Sequence, residues 1–156
     1  MNKDISLTAL YAERIMSMAS ELPPFEELPH SDGSCSRHSR LCGSDVKTEV
    51  ILTRSNTRKR LVDRVAMQVH ACVFGQAAAS LVLRYAYGRD LYELIALRES
   101  MERILHDDEV SVEHLILPEL RFFQGIAPYK HRHSSVLLSF QSIECAILDA
   151  EVGAIF

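Results

Sequence analysis

The sequence predicts an α+β domain, in which a small antiparallel sheet of about three strands is covered on one face by helices. Residues 45–52 and 60–70 both alternate apolar and polar side chains and are joined by a short polar turn, as in an antiparallel hairpin. Four other segments repeat apolar residues at helical spacing, one before the hairpin and three after it. The 156 residues suffice for one such core, so we expect a single domain over residues 1–156.

The first 41 residues predict one helix and an irregular segment. Residues 6–20 have Leu, Tyr, Ile and Met at helical spacing, and Pro23-Pro24 stops the helix. Residues 24–41 are rich in Pro, Ser, Asp and Gly and show no periodicity, which predicts an irregular surface segment. Its last part, SCSRHSRL, can add a short strand.

The hairpin strands each have one apolar face. The polar turn at residues 55–60 lacks the glycine that a tight hairpin usually requires. The apolar faces comprise Val46, Val50 and Leu52, with Thr48 between them, and Val65, Met67 and Val69.

The second half of the chain is predicted to be mainly helical. An Ala- and Leu-rich helix over residues 75–87 ends at a glycine. Asp90 and Glu93 form a capping-box pattern that begins the next helix. Residues 106–132 are punctuated by proline and glycine and are predicted to be irregular, and a last amphipathic helix covers residues 134–150.

The composition excludes several classes of protein. Hydrophobic residues make up 47% and charged residues 24%, as in an ordinary globular protein, and the net charge of −4 argues against nucleic acid as a partner. The N-terminus lacks the pattern of a secretory signal, and the longest near-apolar run, residues 71–83, is too short to span a membrane. We therefore expect a cytoplasmic protein whose four cysteines are free thiols or ligands.

Two cysteines are predicted to meet at one end of the sheet. Cys42 precedes a glycine at the head of the first strand, where nearby Arg40 favours the thiolate. Cys72 ends the second strand and precedes a helix, whose free N–H groups also favour a thiolate. Such a pair could supply half of a site for a soft metal ion or an iron–sulfur cluster. Spacing alone favours the simpler reading of small apolar side chains, because the chain has no Cys-x-x-Cys motif.

The other two cysteines are expected to take no part in this site. Cys35 lies in the irregular segment. Cys145 lies off the apolar stripe of the last helix, and its ten-residue separation from Ser135 corresponds to about 15 Å along a helix axis.

Three stretches resemble a known family, the U-type iron–sulfur cluster assembly scaffolds, which comprise the NifU N-terminal, IscU and SufU proteins. The order and spacing agree from Leu10 to Cys145. The specific marks are the Cys-Gly before a strand and a cysteine followed eight residues later by Ser-Leu in a helix of small residues. The three stretches are LCGSDVKTEVIL, HACVFGQAAASLVLRYAYGRDLYEL and LPELRFFQGIAPYKHRHSSVLLSF.

The resemblance implies a function as well as a fold. In this family three cysteines and one aspartate gather at one end of the sheet. They receive sulfur from a cysteine desulfurase and iron from a donor, hold a [2Fe–2S] cluster and pass it to a recipient protein; many members hold zinc in the same place. Cys42 and Cys72 match the first and second family cysteines.

The chain departs from the family pattern at two positions. Ser135 stands where the family has its third cysteine, and Ser44 stands where it has the aspartate. Asp45 follows one step later, where the side chain of a regular strand points to the opposite face. His133 could complete the site for iron or zinc, or could be a surface histidine of a basic loop.

Two functional hypotheses follow. The first is a scaffold or carrier that binds a labile [2Fe–2S] cluster, iron or zinc through Cys42 and Cys72, with His133, Asp45, water or a partner's thiol completing the coordination. The second is a degenerate paralogue that contacts a cysteine desulfurase or a recipient protein without holding a cluster. We expect neither to be an enzyme, because the chain has no nucleophile elbow and no phosphate-binding glycine loop.

Overall fold

The computed structural model describes residues 3–54, 59–106 and 115–155. In this part of the chain a three-stranded sheet is combined with four α-helices and one 3₁₀ helix, which confirms the α+β fold class. In chain order the elements are α1 (Lys3–Ser20), β1 (Gly33–His38), β2 (Asp45–Leu52), β3 (Val62–His70), α2 (Val73–Ala86), α3 (Leu91–Leu105), the 3₁₀ helix (Pro118–Ile126) and α4 (Lys130–Gly153).

The sheet is antiparallel with the order β1-β2-β3, so β2 is central and the other two strands are edges. The register pairs Asp45 with His70 at the end where β2 begins and β3 ends. The next residues of the chain enter α2, so this end of the sheet meets the N-terminus of that helix. The predicted hairpin is therefore present, although residues 55–58 of its turn lie outside the described residues.

One face of the sheet and the inward faces of the helices form the main core. The alternation in β2 buries Val46, Val50 and Leu52 together with Thr48, as the sequence predicts. Helix α4 packs across β1 and β2, and α2 lies between α4 and α1. The helices thus fix the position of α4 relative to the hairpin ends.

The opposite face of the sheet is partly covered by the segment before β1. Leu28, with Phe25 against it, packs on Ile51 and Ala66. The backbone N–H of Leu28 donates to the carboxylate of buried Glu49 at 3.1 Å. The segment predicted as irregular therefore covers apolar surface, and its end forms β1.

The start of α3 has the predicted capping box. The Asp90 side chain accepts a hydrogen bond from the backbone N–H of Glu93, and the Glu93 carboxylate accepts one from the N–H of Asp90, both at 2.9 Å. Among the described helices, none combines the length and continuous hydropathy that crossing a membrane requires.

Helix α4 begins four residues earlier than the predicted start at Ser134. Its first turn, Lys130-His131-Arg132-His133, has no apolar side chain, so apolar periodicity could not reveal it. The stretch predicted as irregular, residues 106–132, contains the 3₁₀ helix, while residues 107–114 lie outside the described part.

The expectation that all four cysteines are free thiols or ligands is wrong for Cys35 and Cys145, although neither residue is part of the predicted Cys42 and Cys72 site. The two side chains form a disulfide between β1 and α4, with a Cα–Cα distance of 5.7 Å. The pairing arises because β1 adds to the sheet edge and α4 crosses it. The two residues are separated by 110 positions, so no local pattern in the sequence indicated the contact.

Candidate functional site

The candidate site lies where β2 begins and β3 ends, next to the starts of α2 and α4. Cys42 lies on the turn formed by residues 39–44, which joins β1 to β2, and Cys72 is the N-cap of α2. The turn is closed by two backbone hydrogen bonds, from Ser39 N–H to the carbonyl of Ser44 at 2.8 Å and from Gly43 N–H to the carbonyl of Ser39 at 2.9 Å. Gly43 has a φ of 71°, a conformation that glycine adopts without strain.

Two serine hydroxyls connect the two thiols. The Sγ of Cys42 lies 3.1 Å from the Oγ of Ser44, to which it donates as a thiol. That hydroxyl lies 3.3 Å from the Oγ of Ser135, which in turn lies 3.4 Å from the Sγ of Cys72. We call this series of contacts, Cys42–Ser44–Ser135–Cys72, the hydroxyl chain. The sequence resemblance matches Ser44 and Ser135 to the family's aspartate and third cysteine, and both serines lie within the hydroxyl chain.

A second pair of serines fixes the turn against α4. The hydroxyls of Ser39 and Ser134 are 2.9 Å apart, and that of Ser134 lies 3.9 Å from the Sγ of Cys42. The turn carrying Cys42 is therefore joined to the first residues of α4 by side-chain hydrogen bonds.

Cys42 is an exposed thiol that ionises easily. Its slight burial raises the pKa, but hydrogen bonds with the hydroxyls of Ser39, Ser44 and Ser134 and with the backbone of Ser44 favour the thiolate and lower the pKa to about 7. Cys42 therefore ionises much more readily near neutral pH than an ordinary thiol does.

Cys72 is half-buried, and its pKa is also lowered from the ordinary value. Burial raises the pKa, but the hydroxyl of Ser135, the backbone N–H groups of Gly75 and Phe74, and the side chain of Arg132 favour the thiolate more strongly. The N–H groups belong to the first turn of α2, where no main-chain partner is available to them.

The lowered pKa of Cys42 gives a testable pH dependence. In a Cys72→Ser variant, we expect the rate of Cys42 alkylation by iodoacetamide to rise with pH and to level off above a midpoint of about 7. Adding Ser44→Ala should move that midpoint upward, because one donor to the thiolate is lost. A midpoint near the value of an ordinary thiol in both proteins would contradict the assigned hydrogen bonds.

Gly75 permits the close approach of α2 and α4 at the site. A Cβ at this position would lie 2.6 Å from the Oγ of Ser135 and 2.7 Å from the Cβ of Ala71. The absence of a side chain therefore allows Ser135 to reach Cys72. Alanines follow it at residues 77–79. A glycine inside a helix lowers the stability of the helix by about 1 kcal/mol relative to alanine. The glycine in CVFG was thus a signal of close packing that sequence reasoning did not use.

The structure does not bring Asp45 or His133 into contact with either thiol. The carboxylate of Asp45 lies 3.1 Å from the Nδ1 of His70. The Nε2 of His133 lies 3.0 Å from the carbonyl oxygen of Ala127 and 3.2 Å from that of Ile126. Within the described ranges, no three side chains of His, Cys, Asp or Glu come together as a metal ion would require.

Sequence reasoning missed two residues of the site. It proposed Cys42 and Cys72 as ligands and named Ser44 and Ser135 only as departures from the family pattern, and it gave no role to Ser39 or Ser134. Their pairing depends on how the β1–β2 turn meets α4, 95 positions later in the chain. A single serine carries no sequence signal of such a contact, whether it is buried, as Ser39 is, or half-buried, as Ser134 is.

Comparison with solved structures shows which known proteins this chain is similar to. The crystal structure of a nitrogen-fixing NifU-like protein (N-terminal) from Brucella abortus is 30% identical in sequence, with a TM-score of 0.78; the match covers 91% of this chain and 94% of that one. A protein assigned as an iron–sulfur cluster assembly scaffold for the SUF system of Fervidobacterium islandicum AW-1 is 18% identical, with a TM-score of 0.73, and the match covers 89% and 97%. The second likeness shows a shared fold. No protein-family model and no curated protein sequence matches the chain.

Proposed function

Because the chain belongs to the family of U-type iron–sulfur cluster assembly scaffolds, we propose that it is a scaffold or carrier that binds a labile [2Fe–2S] cluster, iron or zinc through Cys42 and Cys72. The bound species is cargo, which the protein receives and passes on. We further propose that it acts in the cytoplasm, receiving sulfur from a cysteine desulfurase and delivering to recipient iron–sulfur proteins.

The observation that carries the proposal is the convergence of two ionisable thiols at the ends of the hydroxyl chain. Thiolates are the preferred protein ligands of iron–sulfur clusters and bind zinc well. Both thiols have a lowered pKa, so less free energy is needed to deprotonate them for binding. The exposure of Cys42 gives a partner direct access to one of them.

The donor set in the described residues is incomplete, which suits transfer better than permanent storage. Two thiolates leave coordination positions of a bound metal ion free, and water or a partner's thiol could fill them. Asp45 would have to leave His70, and His133 would have to leave two carbonyl oxygens, before either could bind. A cargo held by few protein ligands is released more easily by ligand exchange. The chemistry is ligation and exchange, so we do not propose an enzymatic activity.

Anaerobic reconstitution tests the proposal. After incubation with iron and sulfide, we expect the wild-type protein to show thiolate-to-iron absorption in the visible range and to retain iron after desalting. We expect a Cys42→Ser plus Cys72→Ser variant to lose both signals. A parallel incubation with zinc should give the same difference between the two proteins.

A matched control separates site binding from binding by any thiol. A Cys35→Ser plus Cys145→Ser variant also loses two cysteines, but both lie outside the site. It should retain most of the iron or zinc uptake, because both thiols of the site remain, although the turn that carries Cys42 is held less firmly without the disulfide. Equal loss in the two double variants would contradict the assignment of Cys42 and Cys72.

One observation favours the second candidate function, a protein-interaction module without a cluster. Serines occupy both positions at which the family has its third cysteine and its aspartate. If wild-type protein takes up neither iron nor zinc but still binds a purified cysteine desulfurase, the interaction module replaces the scaffold as the conclusion.

A further inference from the structure

The disulfide between Cys35 and Cys145 fastens the first strand to the last helix. Two polar contacts flank it: the carbonyl of Cys35 accepts a hydrogen bond from the hydroxyl of Ser142 at 3.1 Å, and the N–H of Ser34 donates to the carboxylate of Asp149 at 3.0 Å. Gly33 packs so tightly on α4 that a Cβ would overlap with the backbone at Ala146 and Ala150. Strand β1 therefore lies directly on α4 along most of its length.

Apart from the disulfide, the hydrogen bonds and the packing of Gly33, β1 contributes no large apolar side chain to the core. It is an edge strand, paired only with β2. Alternate residues share one face, and the face toward α4 is made by Gly33, Cys35 and Arg37, none of which has a large apolar side chain. Of the six residues of β1, only Gly33 is fully buried. The covalent bond takes the place that a buried apolar side chain occupies in the central strand.

The bond is accessible from solvent. Cys35 and Cys145 are each partly exposed, and Cys145 lines an open surface cavity of about 340 Å³. Its walls include Arg37 and Gln141, and it is large enough to admit a small thiol compound. A buried structural disulfide would lack this approach route, on which the rate of thiol–disulfide exchange depends.

The same two elements meet again at the candidate site. Cys35 lies seven residues before Cys42, and the turn that carries Cys42 is joined to α4 by the hydrogen bond between Ser39 and Ser134. The disulfide and this hydrogen bond thus join β1 and the turn that follows it to α4 at two successive points. Without the covalent attachment, the segment from residue 33 to residue 44 is held by backbone pairing with β2 and by single hydrogen bonds.

We propose that the Cys35–Cys145 bond is a reversible thiol–disulfide site, open to low-molecular-weight thiols, whose reduction releases β1 from α4 and loosens the turn that carries Cys42. Disulfides inside cells are typically transient or redox-sensing. The inference does not depend on what Cys42 and Cys72 bind, because it concerns a different pair of sulfur atoms.

The exchange balances with glutathione as the reductant. One glutathione thiolate attacks a sulfur of the pair, forming a mixed disulfide and releasing the other cysteine as a thiolate. A second glutathione thiolate attacks the mixed disulfide, which gives oxidised glutathione and the second protein thiol. Two glutathione molecules are oxidised by two electrons in total, and the protein gains two electrons and two protons.

Thiol counting on the full-length chain tests whether the site is reversible. The protein is equilibrated in glutathione buffers of different redox ratio, quenched with acid, denatured and alkylated, and its mass is measured. We expect two alkylated cysteines in oxidising buffer and four in reducing buffer, with full return on reoxidation. The Cys42→Ser plus Cys72→Ser variant should shift from none to two. Four alkylated cysteines at every ratio in the wild-type protein would overturn the proposal.

Hydrogen exchange tests the structural consequence. On reduction of the wild-type protein, we expect residues 33–44 to exchange roughly tenfold faster or more, while α2 and α3 change little. The melting temperature should fall by roughly 5–15 °C, because the bond closes a long loop. A Cys35→Ser plus Cys145→Ser variant should have the exchange rates and melting temperature of the reduced protein. If that variant does not fold, the oxidised and reduced wild-type proteins provide the same comparison. Unchanged exchange over residues 33–44 after reduction would overturn the proposed release.

Discussion

Replacing Ser135 with cysteine is expected to raise the affinity of the protein for zinc by roughly tenfold or more, because a third thiolate would join the site. The Oγ of Ser135 already lies 3.4 Å from the Sγ of Cys72, and the hydroxyl chain connects it to Cys42 through Ser44. The side chain is 1% exposed, and its contact with Cys72 means that the new sulfur would lie next to the Sγ of that residue. Competition with a chromophoric chelator measures the change.

A serine one helical turn further along α4 provides the matched control. Ser139 is also 1% exposed, and it is not part of the hydroxyl chain. Ser139→Cys adds the same thiol to the same helix and should leave the zinc affinity close to that of the wild type. Equal gains from both substitutions, or no gain from Ser135→Cys in a folded protein, would contradict the geometry of the site.

Replacing Gly75 with alanine should destabilise the protein and also change the ionisation of Cys72. The added methyl group overlaps with Ser135 and Ala71, and overpacking of this kind typically costs about 1–3 kcal/mol of unfolding free energy. Displacing Ser135 removes its hydroxyl from Cys72, so the pKa of that thiol should rise from its lowered value. Denaturant unfolding and the pH dependence of alkylation in a Cys42→Ser background measure the two effects.

Gly125 offers the corresponding control for a glycine in an open position. A Cβ there would meet no atom within 4 Å, so Gly125→Ala should leave both the stability and the ionisation of Cys72 nearly unchanged. If Gly75→Ala behaved in the same way, the close approach of α2 to α4 would not be what positions Ser135.

The parts of the fold that could be predicted are those with a repeating pattern. Alternation in β2 and β3 predicted the hairpin, and the register then placed Cys42 and Cys72 at one end of the sheet. The capping box of Asp90 and Glu93 is a local motif, and it is present as predicted. Such features are determined by residues close in sequence, and their patterns can be read from a single chain.

The parts that were missed depend on contacts between distant segments. The disulfide joins residues 110 positions apart, and the Ser39–Ser134 contact joins residues 95 positions apart. The residue types of neither pair indicate that its two members meet in the fold. The first turn of α4 was not predicted, because it has no apolar side chain that would show helical periodicity. The environments of Asp45 and His133 could not be predicted either, since each depends on which neighbouring group its side chain meets.

Because the hydroxyl chain connects Cys42 and Cys72, the ionisation of one thiol affects the ionisation of the other. A serine hydroxyl has one proton, so Ser44 and Ser135 can each donate to only one neighbour at a time. When Cys42 is ionised, every hydroxyl proton is directed toward it, and Cys72 is left to donate and keeps its proton; when Cys72 is ionised, the series is reversed. Loss of both protons would leave Ser44 and Ser135 facing each other with no proton between their oxygens. The hydroxyl chain is thus fully hydrogen-bonded with one negative charge at either end, and a second charge costs one hydrogen bond within it.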